Sequence, residues 1–339
     1  MIDLVLPQPY LLFLGDMTSL PLSKTAFGLR DWGPERCVGE YSLPAATVTT
    51  GLPKLTPAEA RARGARGLVI GVAPPGGVIS GAWVPALVEA LEAGLDIVSG
   101  MHTRLQDVPQ LNSVATRLGR RLINVRQPPA GLPVGTGIKR SGKRLLTVGT
   151  DCALGKKYTA LSLAREFRKR GVNVDFRATG QTGILICGEG IPIDSVVADF
   201  IAGAAEAVSP HAAADHWDVV EGQGSLFHPA YSGVSLGLLH GTQPDVIVMC
   251  HEVGRERMLG FEHFATPDLP QAIELNLVLA RRTNPRVRCA GVSLNTSQLD
   301  AAQARAALAQ LSSKLQLPVA DPLRGGPELD RLVDACLMP

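Results

Sequence analysis

One segment of the 339-residue chain restricts the possible folds more than any other: LLTVGTDCALGKKYT at residues 145–159. An apolar run of strand length leads into a glycine-bearing loop, then into Gly155-Lys156 and a stretch with helical spacing. In a loop of this kind the backbone N–H groups surround an anion, and the helix N-terminus adds partial positive charge. The segment therefore predicts a phosphate-binding loop in an α/β domain, with the Lys156 ammonium directed at the phosphates.

The loop departs in two places from the pattern G-x-x-x-x-G-K-[ST]. Gly149 lies one position too early, and Lys157 occupies the position of the magnesium-binding hydroxyl, so that the nearest hydroxyl is that of Thr159. A second cation at this position favours direct neutralisation of phosphates without a metal ion. The residues that we predict to bind the phosphorylated cofactor are Gly149, Thr150, Asp151, Cys152, Ala153, Leu154, Gly155, Lys156, Lys157, Tyr158 and Thr159.

The overall charge argues against a polymeric phosphate partner. Lys and Arg number 33 against 31 Asp and Glu, a formal net charge of +2. Proteins that bind nucleic acid or anionic membranes need an excess of positive charge. Only eight of the 33 cations are lysines, yet two of these stand side by side at 156–157. We therefore predict a small-molecule substrate, and neither a nucleic-acid nor a membrane partner.

The cysteines and histidines do not suggest a metal site. The six cysteines form no C-x-x-C pair, and residues 251–255 miss H-E-x-x-H because Arg255 occupies the second ligand position. Scattered thiols, a start without a basic leader, and the lack of an apolar run of about 18–20 residues predict a cytoplasmic protein. A homo-oligomer is the expected state of such a protein.

The chain is predicted to contain two α/β domains. Strands at 67–73 and 95–99 flank a helix at 83–93, the order typical of a parallel sheet, but without the G-x-G-x-x-G of dinucleotide binding. Residues 126–143 are rich in Pro and Gly, which predicts domains at 1–125 and 144–339 joined by this linker. The second domain, a doubly wound parallel sheet, is predicted to have strands at 145–148, 172–178, 217–220, 246–250, 287–294 and 318–320, and helices at 156–170, 195–207, 271–282 and 301–315.

Polar residues follow several of these strands, at the sheet edge where open α/β folds bind ligands. Glu221 follows strand 217–220 and His251 follows strand 246–250, so both are candidate general bases, together with Asp151 of the loop. Residues 179–183 (TGQTG) are either donors at this edge or a flexible turn. The predicted substrate-binding residues are Gln181, Thr182, Gln223, Ser225, His228 and Arg255.

These segments carry two resemblances. The run G-T-D-x-x-x-G-K at 149–156 and V-E-G-x-G at 220–224 resemble dethiobiotin synthetase, where the carboxylate lies beside metal and phosphates. Together with 179–183 and HGTQPD at 240–245, they resemble, over nearly the whole chain, a family long catalogued as a domain of unknown function. That family includes the DgcN-type D-glutamate N-acetyltransferases. This resemblance implies a Rossmann-like N-terminal domain, a P-loop C-terminal domain of the dethiobiotin synthetase kind, and acetyl transfer from acetyl-CoA to the amino group of D-glutamate or a similar D-amino acid.

The sequence is compatible with two alternatives. One is an ATP- and Mg²⁺-dependent ligase or kinase of the dethiobiotin synthetase type, with Thr159, Asp151 and Glu221 around the metal. The other is a nucleotide-binding regulatory module without chemistry of its own. Lys157 at the hydroxyl position weighs against the ligase, and the closeness of the family motifs weighs against the regulatory module.

Overall fold

The computed structural model describes residues 2–3 and 5–338. This part of the chain divides into two compact units, which we call the N-terminal unit (residues 2–128 and 180–192) and the C-terminal unit (residues 129–179 and 193–338). Residues 125–142 contain neither helix nor strand among the described residues. The boundaries at 125 and 144 stay a prediction, and segment 180–192 belongs to the N-terminal unit. No helix within the described ranges has both the length and the apolar character that crossing a membrane requires.

The strands in chain order are β1 (Ile2–Asp3), β2 (Tyr10–Gly15), β3 (Cys37–Ser42), β4 (Gly67–Ile70), β5 (Asp96–Ser99), β6 (Leu122–Asn124), β7 (Lys143–Gly149), β8 (Val174–Arg177), β9 (Glu189–Gly190), β10 (Trp217–Val220), β11 (Val246–Glu252), β12 (Arg257–Met258), β13 (Phe261–Ala265), β14 (Arg288–Asn295) and β15 (Val319–Ala320). The α-helices are α1 (Lys24–Trp32), α2 (Pro57–Ala62), α3 (Val84–Glu92), α4 (Pro109–Leu118), α5 (Lys156–Lys169), α6 (Gln181–Cys187), α7 (Ile201–Val208), α8 (Ser232–Thr242), α9 (Leu269–Ala280), α10 (Ala301–Leu315) and α11 (Pro327–Leu337).

The N-terminal unit is built on a parallel sheet with the strand order β3-β2-β4-β5-β6. All residues of β2, β4 and β5 are buried, as expected for strands that carry helices on both faces. The strand order reverses between β2 and β4, where the chain winds first to one side and then to the other. The Rossmann-like N-terminal fold is therefore confirmed.

The C-terminal unit has a parallel sheet in the order β15-β14-β11-β7-β10-β8. Strand β7 lies between β11 and β10, and the last residues of β7 pair with β11 through Gly149 and Cys250. The carboxyl ends of these three strands therefore meet at one edge of the sheet. The predicted parallel α/β fold is confirmed, and this edge contains the loop, Glu221 and His251.

The structure differs from the prediction in several places. Residues 181–187 form helix α6 rather than a turn, and the helix predicted at 195–207 begins only at Ile201, after short 3-10 turns. Helix α8 was not predicted because glycines disrupt its apolar pattern. Those glycines allow α8 to approach α7 closely: a Cβ at Gly241 would lie 2.1 Å from the carbonyl oxygen of Ala202.

Candidate functional site

The predicted phosphate loop runs from the end of β7 to the start of α5. Its first amide, that of Thr150, donates to the carbonyl oxygen of Cys250 (3.1 Å), and helix α5 begins at Lys156. Gly155, the residue before the helix, has a φ of 105°, a conformation that favours glycine. Ala153 has a φ of 54° without being glycine. The sequence context of strand, loop and helix is thus realised as predicted.

Lys156 crosses the loop in a narrow space between two glycines. The residue is only 7% exposed, and its Nζ donates to the backbone oxygen of Asp151 at 2.7 Å. A Cβ at Gly149 would lie 3.1 Å from Nζ, and a Cβ at Gly222 would lie 3.2 Å from Cδ of the lysine. The two glycines therefore leave the room through which the ammonium reaches the interior of the loop.

Asp151 is fully buried, and its carboxylate is engaged on both oxygens. Oδ1 accepts a hydrogen bond from the Cys152 amide at 2.6 Å. Oδ2 accepts hydrogen bonds from Nη1 of Arg255 and from the Leu259 amide, both at 2.9 Å. Arg255 also pairs with Glu252. The carboxylate therefore links the phosphate loop to the segment after β11, and Arg255 is neutralised by carboxylates of the chain itself.

The other loop residues support the turn and the helix. Thr159 is buried, with Oγ1 2.7 Å from the Ser293 hydroxyl, which joins α5 to β14. Leu154 is buried and Cys152 half-buried. The Lys157 ammonium lies 4.9 Å from the centroid of the Tyr158 ring, a cation–π distance. The hydroxyl that a magnesium ion would need is thus already bonded inside the protein.

Glu221 lies at the carboxyl end of β10 and is 4% exposed. Its Oε2 accepts the Thr179 amide at 3.1 Å, and its backbone oxygen accepts the Thr179 hydroxyl at 2.6 Å. Nε2 of Gln223 donates to the same hydroxyl at 3.1 Å. Glu221 and Gln223 thereby connect the end of β10 to Thr179, two residues after the end of β8.

His251, at the end of β11, lies next to the loop. Its Nδ1 is 2.8 Å from Oγ1 of Thr150, and no described residue forms a hydrogen bond with its Nε2. Burial, and to a lesser degree the positive charge of Arg255, lower the pKa of His251 below 6.5. The structure therefore brings His251 and Glu221 to the same sheet edge as Lys156.

A small pocket lies beside the loop, between the sheet and helices α8 and α9. Its lining includes Gly149, Gln223, Ser225, Leu226 and Asn276. Ser225 is buried and receives the Phe227 amide on its hydroxyl oxygen at 3.3 Å. His228, three residues further on, is also buried. These residues continue the glycine-rich turn that begins after Glu221.

Gln181 and Thr182 belong to the N-terminal unit, in the first turn of α6. Oε1 of Gln181 accepts a hydrogen bond from Nη2 of Arg126 at 2.5 Å. Nη1 of the same arginine lies 2.5 Å from Nε2 of His102. The hydroxyl of Thr182 lies 3.0 Å from that of Thr25. Arg126 and His102 were not singled out from the sequence. Both follow the carboxyl ends of strands (β6 and β5), so the rule that indicated Glu221 would have found them.

Two groups of side chains in the described ranges have the composition of metal ligands. Asp151, Cys152 and His228 form one, but the Asp151 oxygens are already engaged. Asp175, His216 and Asp218 form the other, where Arg177 donates to Asp218 at 2.6 Å and to Asp175 at 3.0 Å. In the second group the Arg177 guanidinium already provides the positive charge that a metal ion would otherwise bring to the two carboxylates. The absence of a metal stays a prediction.

A parallel sheet whose inner strand leads through a glycine loop and a buried lysine into a helix defines a P-loop protein of the α/β class. The chain belongs to the DUF1611 family. A model described as a domain of unknown function, P-loop domain, matches residues 133–333, and one described as a Rossmann-like domain matches residues 35–128. The family membership predicted from the motifs is confirmed.

Two curated relatives extend over nearly the whole chain. A protein from Tritonibacter scottomollicae is 48% identical over 331 residues (98% of this chain and 99% of the relative), and one from a Pseudoalteromonas species is 49% identical over 318 residues (94% and 96%). Both are named D-glutamate N-acetyltransferase. The crystal structure of a DUF1611 family protein from Anabaena variabilis ATCC 29413 is similar to this chain with a TM-score of 0.88 and 33% identity, covering 97% of this chain and 99% of that one.

Proposed function

We propose that this chain transfers an acetyl group from acetyl-CoA to the amino group of D-glutamate or a similar D-amino acid. The observation that carries the proposal is the 48–49% identity, over nearly the full length, to two proteins named D-glutamate N-acetyltransferase. The geometry supports the same conclusion, because the loop offers cations to phosphates while the Thr159 hydroxyl is bonded to Ser293. The enzyme is proposed to be a cytoplasmic homo-oligomer that binds small molecules.

The residues of the loop fit the donor. Coenzyme A carries a pyrophosphate and a 3′-phosphate, and its thioester supplies the activated acetyl group. The loop amides and Lys156 would bind phosphate oxygens, with Lys157 as a second cation at the helix N-terminus. The fit is supported by the space between Gly149 and Gly222, which only glycines leave open beside the lysine.

Among the three predicted bases, His251 has the most suitable geometry. The acceptor amine must lose a proton before its nitrogen attacks the thioester carbonyl. When Nδ1 of His251 donates to the Thr150 hydroxyl, Nε2 presents a lone pair that takes up this proton. Asp151 and Glu221 are less suitable because each carboxylate accepts hydrogen bonds inside the protein. Backbone N–H groups near the reacting carbonyl would stabilise the oxyanion that develops on it.

The pH dependence of the reaction tests His251. Its pKa is lowered, so the ring stays neutral to lower pH than a free imidazole, and kcat/KM should rise with pH to a plateau with a midpoint below 6.5. We expect His251→Gln to lose this limb and to lower kcat about 10²-fold. His263→Gln, at an exposed position of β13, is the matched control and should retain it. If kcat/KM of His251→Gln still rose with pH over the same range, a residue other than His251 would be the base.

The proposed activity is tested by thiol release from acetyl-CoA with D-glutamate, L-glutamate and a panel of other D-amino acids, beside an assay of Mg·ATP hydrolysis. We expect thiol release with D-glutamate and no ATP turnover. Failure to release thiol with any amine contradicts the proposal. ATP turnover that depends on a carboxylate substrate would instead establish the ligase alternative, with Mg²⁺ held by groups other than Thr159.

A further inference from the structure

His228 is a buried histidine that the proposed reaction does not use. It lies in the turn after β10, its side chain is 1% exposed, and its ring is stacked on Tyr231, with centroids 4.5 Å apart. The ring of Phe261 closes the other side edge-on at 4.7 Å. The two aromatic rings fix the plane of the imidazole.

The hydrogen bonds of the ring determine its tautomer. The backbone N–H of Ala230 donates to Nδ1 at 3.2 Å. Because a backbone N–H can only donate, Nδ1 must hold a lone pair, and a neutral ring then carries its proton on Nε2. Burial and the positive charge of Lys156 lower the pKa of His228, although the carboxylate of Asp151 acts in the opposite direction. The ring is therefore a neutral donor through Nε2.

This donor is directed at the phosphate loop. Nε2 is buried and has no hydrogen-bond partner in the described part of the chain, and Oδ1 of Asp151 lies 4.0 Å away, beyond hydrogen-bond distance. The backbone oxygen of the same Asp151 accepts Nζ of Lys156. A buried donor without an acceptor is costly, so the position calls for an acceptor that arrives with the ligand.

We propose that His228 contacts the ligand in the phosphate loop. Its Nε2–H would donate a hydrogen bond to a phosphate oxygen of a diphosphate-bearing ligand. The proposal rests on the part of the proposed function that places a phosphorylated acyl donor in the loop. A neutral imidazole is suited to this position, because it donates to an anion without adding a further positive charge beside Lys156. The carboxylate of an amino-acid substrate is the competing acceptor, and the experiment separates the two.

Two substitutions distinguish a donor from a packing residue. His228→Met keeps a side chain of similar volume without a donor, whereas His228→Gln keeps an N–H at similar reach. Titration calorimetry with pyrophosphate, coenzyme A and pantetheine, which has the thiol arm without phosphates, reports the contact. We expect His228→Met to raise the Kd for pyrophosphate and for coenzyme A about 10-fold and to leave the Kd for pantetheine unchanged. In His228→Gln each Kd should stay within about 3-fold of the wild-type value.

Nitrogen NMR of the wild-type protein keeps the test independent of how the variants fold. The ring should be the neutral tautomer with its proton on Nε2, and the signals of that N–H should shift on addition of pyrophosphate. Unchanged pyrophosphate affinity in folded His228→Met, an unshifted Nε2 signal, or an effect confined to the KM of the amino acid would each overturn the proposal. Since pyrophosphate binding requires no acetyl transfer, the result is independent of whether the proposed activity is found.

Discussion

Replacing Lys156 with methionine is expected to lower kcat/KM for acetyl-CoA about 10³-fold while the protein stays folded. The methionine side chain fills the space between Gly149 and Gly222, so the change removes the ammonium and little of the packing. The ammonium is buried, which makes its interaction with a phosphate stronger than that of a solvated lysine. The loss should lie mainly in donor binding, measured by calorimetry with coenzyme A beside the kinetics.

Lys169 provides the matched control for this experiment. It is an exposed lysine in the last turn of the same helix, paired with Glu166 at 2.9 Å. Surface pairs of this kind contribute about 1 kcal/mol or less, so Lys169→Met should keep both activity and fold. If folded Lys156→Met retained the wild-type kcat/KM and affinity for coenzyme A, the assignment of the phosphate loop would be wrong.

Substituting Gly222 with alanine is expected to lower the free energy of unfolding by more than about 3 kcal/mol. The added Cβ would lie 1.6 Å from the carbonyl oxygen of Thr147. That oxygen belongs to the backbone of β7, which is hydrogen-bonded to strands on both sides and cannot rotate away as a side chain would. Urea unfolding followed by circular dichroism measures the change.

Gly233 is the control for the Gly222 variant. It lies in the first turn of α8, is exposed, and has no heavy atom within 4 Å of the position of an added Cβ. Alanine in a helix is favoured over glycine, so Gly233→Ala should raise the free energy of unfolding by about 0.5–1 kcal/mol. Equal urea midpoints for Gly222→Ala and the wild type would contradict the close approach of the turn to β7.

Elements with strong local signals were predictable from the sequence. Helix α10 has the predicted bounds because Asp300 forms a capping box with Gln303 and the helix is rich in alanine and leucine. Strand β10 has the predicted bounds as well. Helix α8 was missed because its glycines reflect contact with α7, and a contact between segments about 40 residues apart leaves no local pattern.

The candidate site likewise contains residues that local sequence predicts and contacts that it does not. Lys156 could be predicted because strand, loop and helix are consecutive in the chain. The partners of Asp151 could not, since Arg255 and Leu259 come from more than 100 residues further on. Arg255 was predicted as a substrate-binding residue, and in the structure its guanidinium is bonded to carboxylates of the chain; its contact with the substrate stays a prediction. The tautomer of His228 depends on one backbone amide and is visible only in three dimensions.

The bond between Nζ of Lys156 and the backbone oxygen of Asp151 has a consequence for selectivity. Any anion that recruits the ammonium must compete with a carbonyl group that is part of the loop. An anion that offers a single contact exchanges one hydrogen bond for another and gains little. A diphosphate that reached several loop amides at once would gain more bonds than it breaks. We therefore expect the loop to discriminate among anions by the number of contacts they make, and simple salts to be weak competitors.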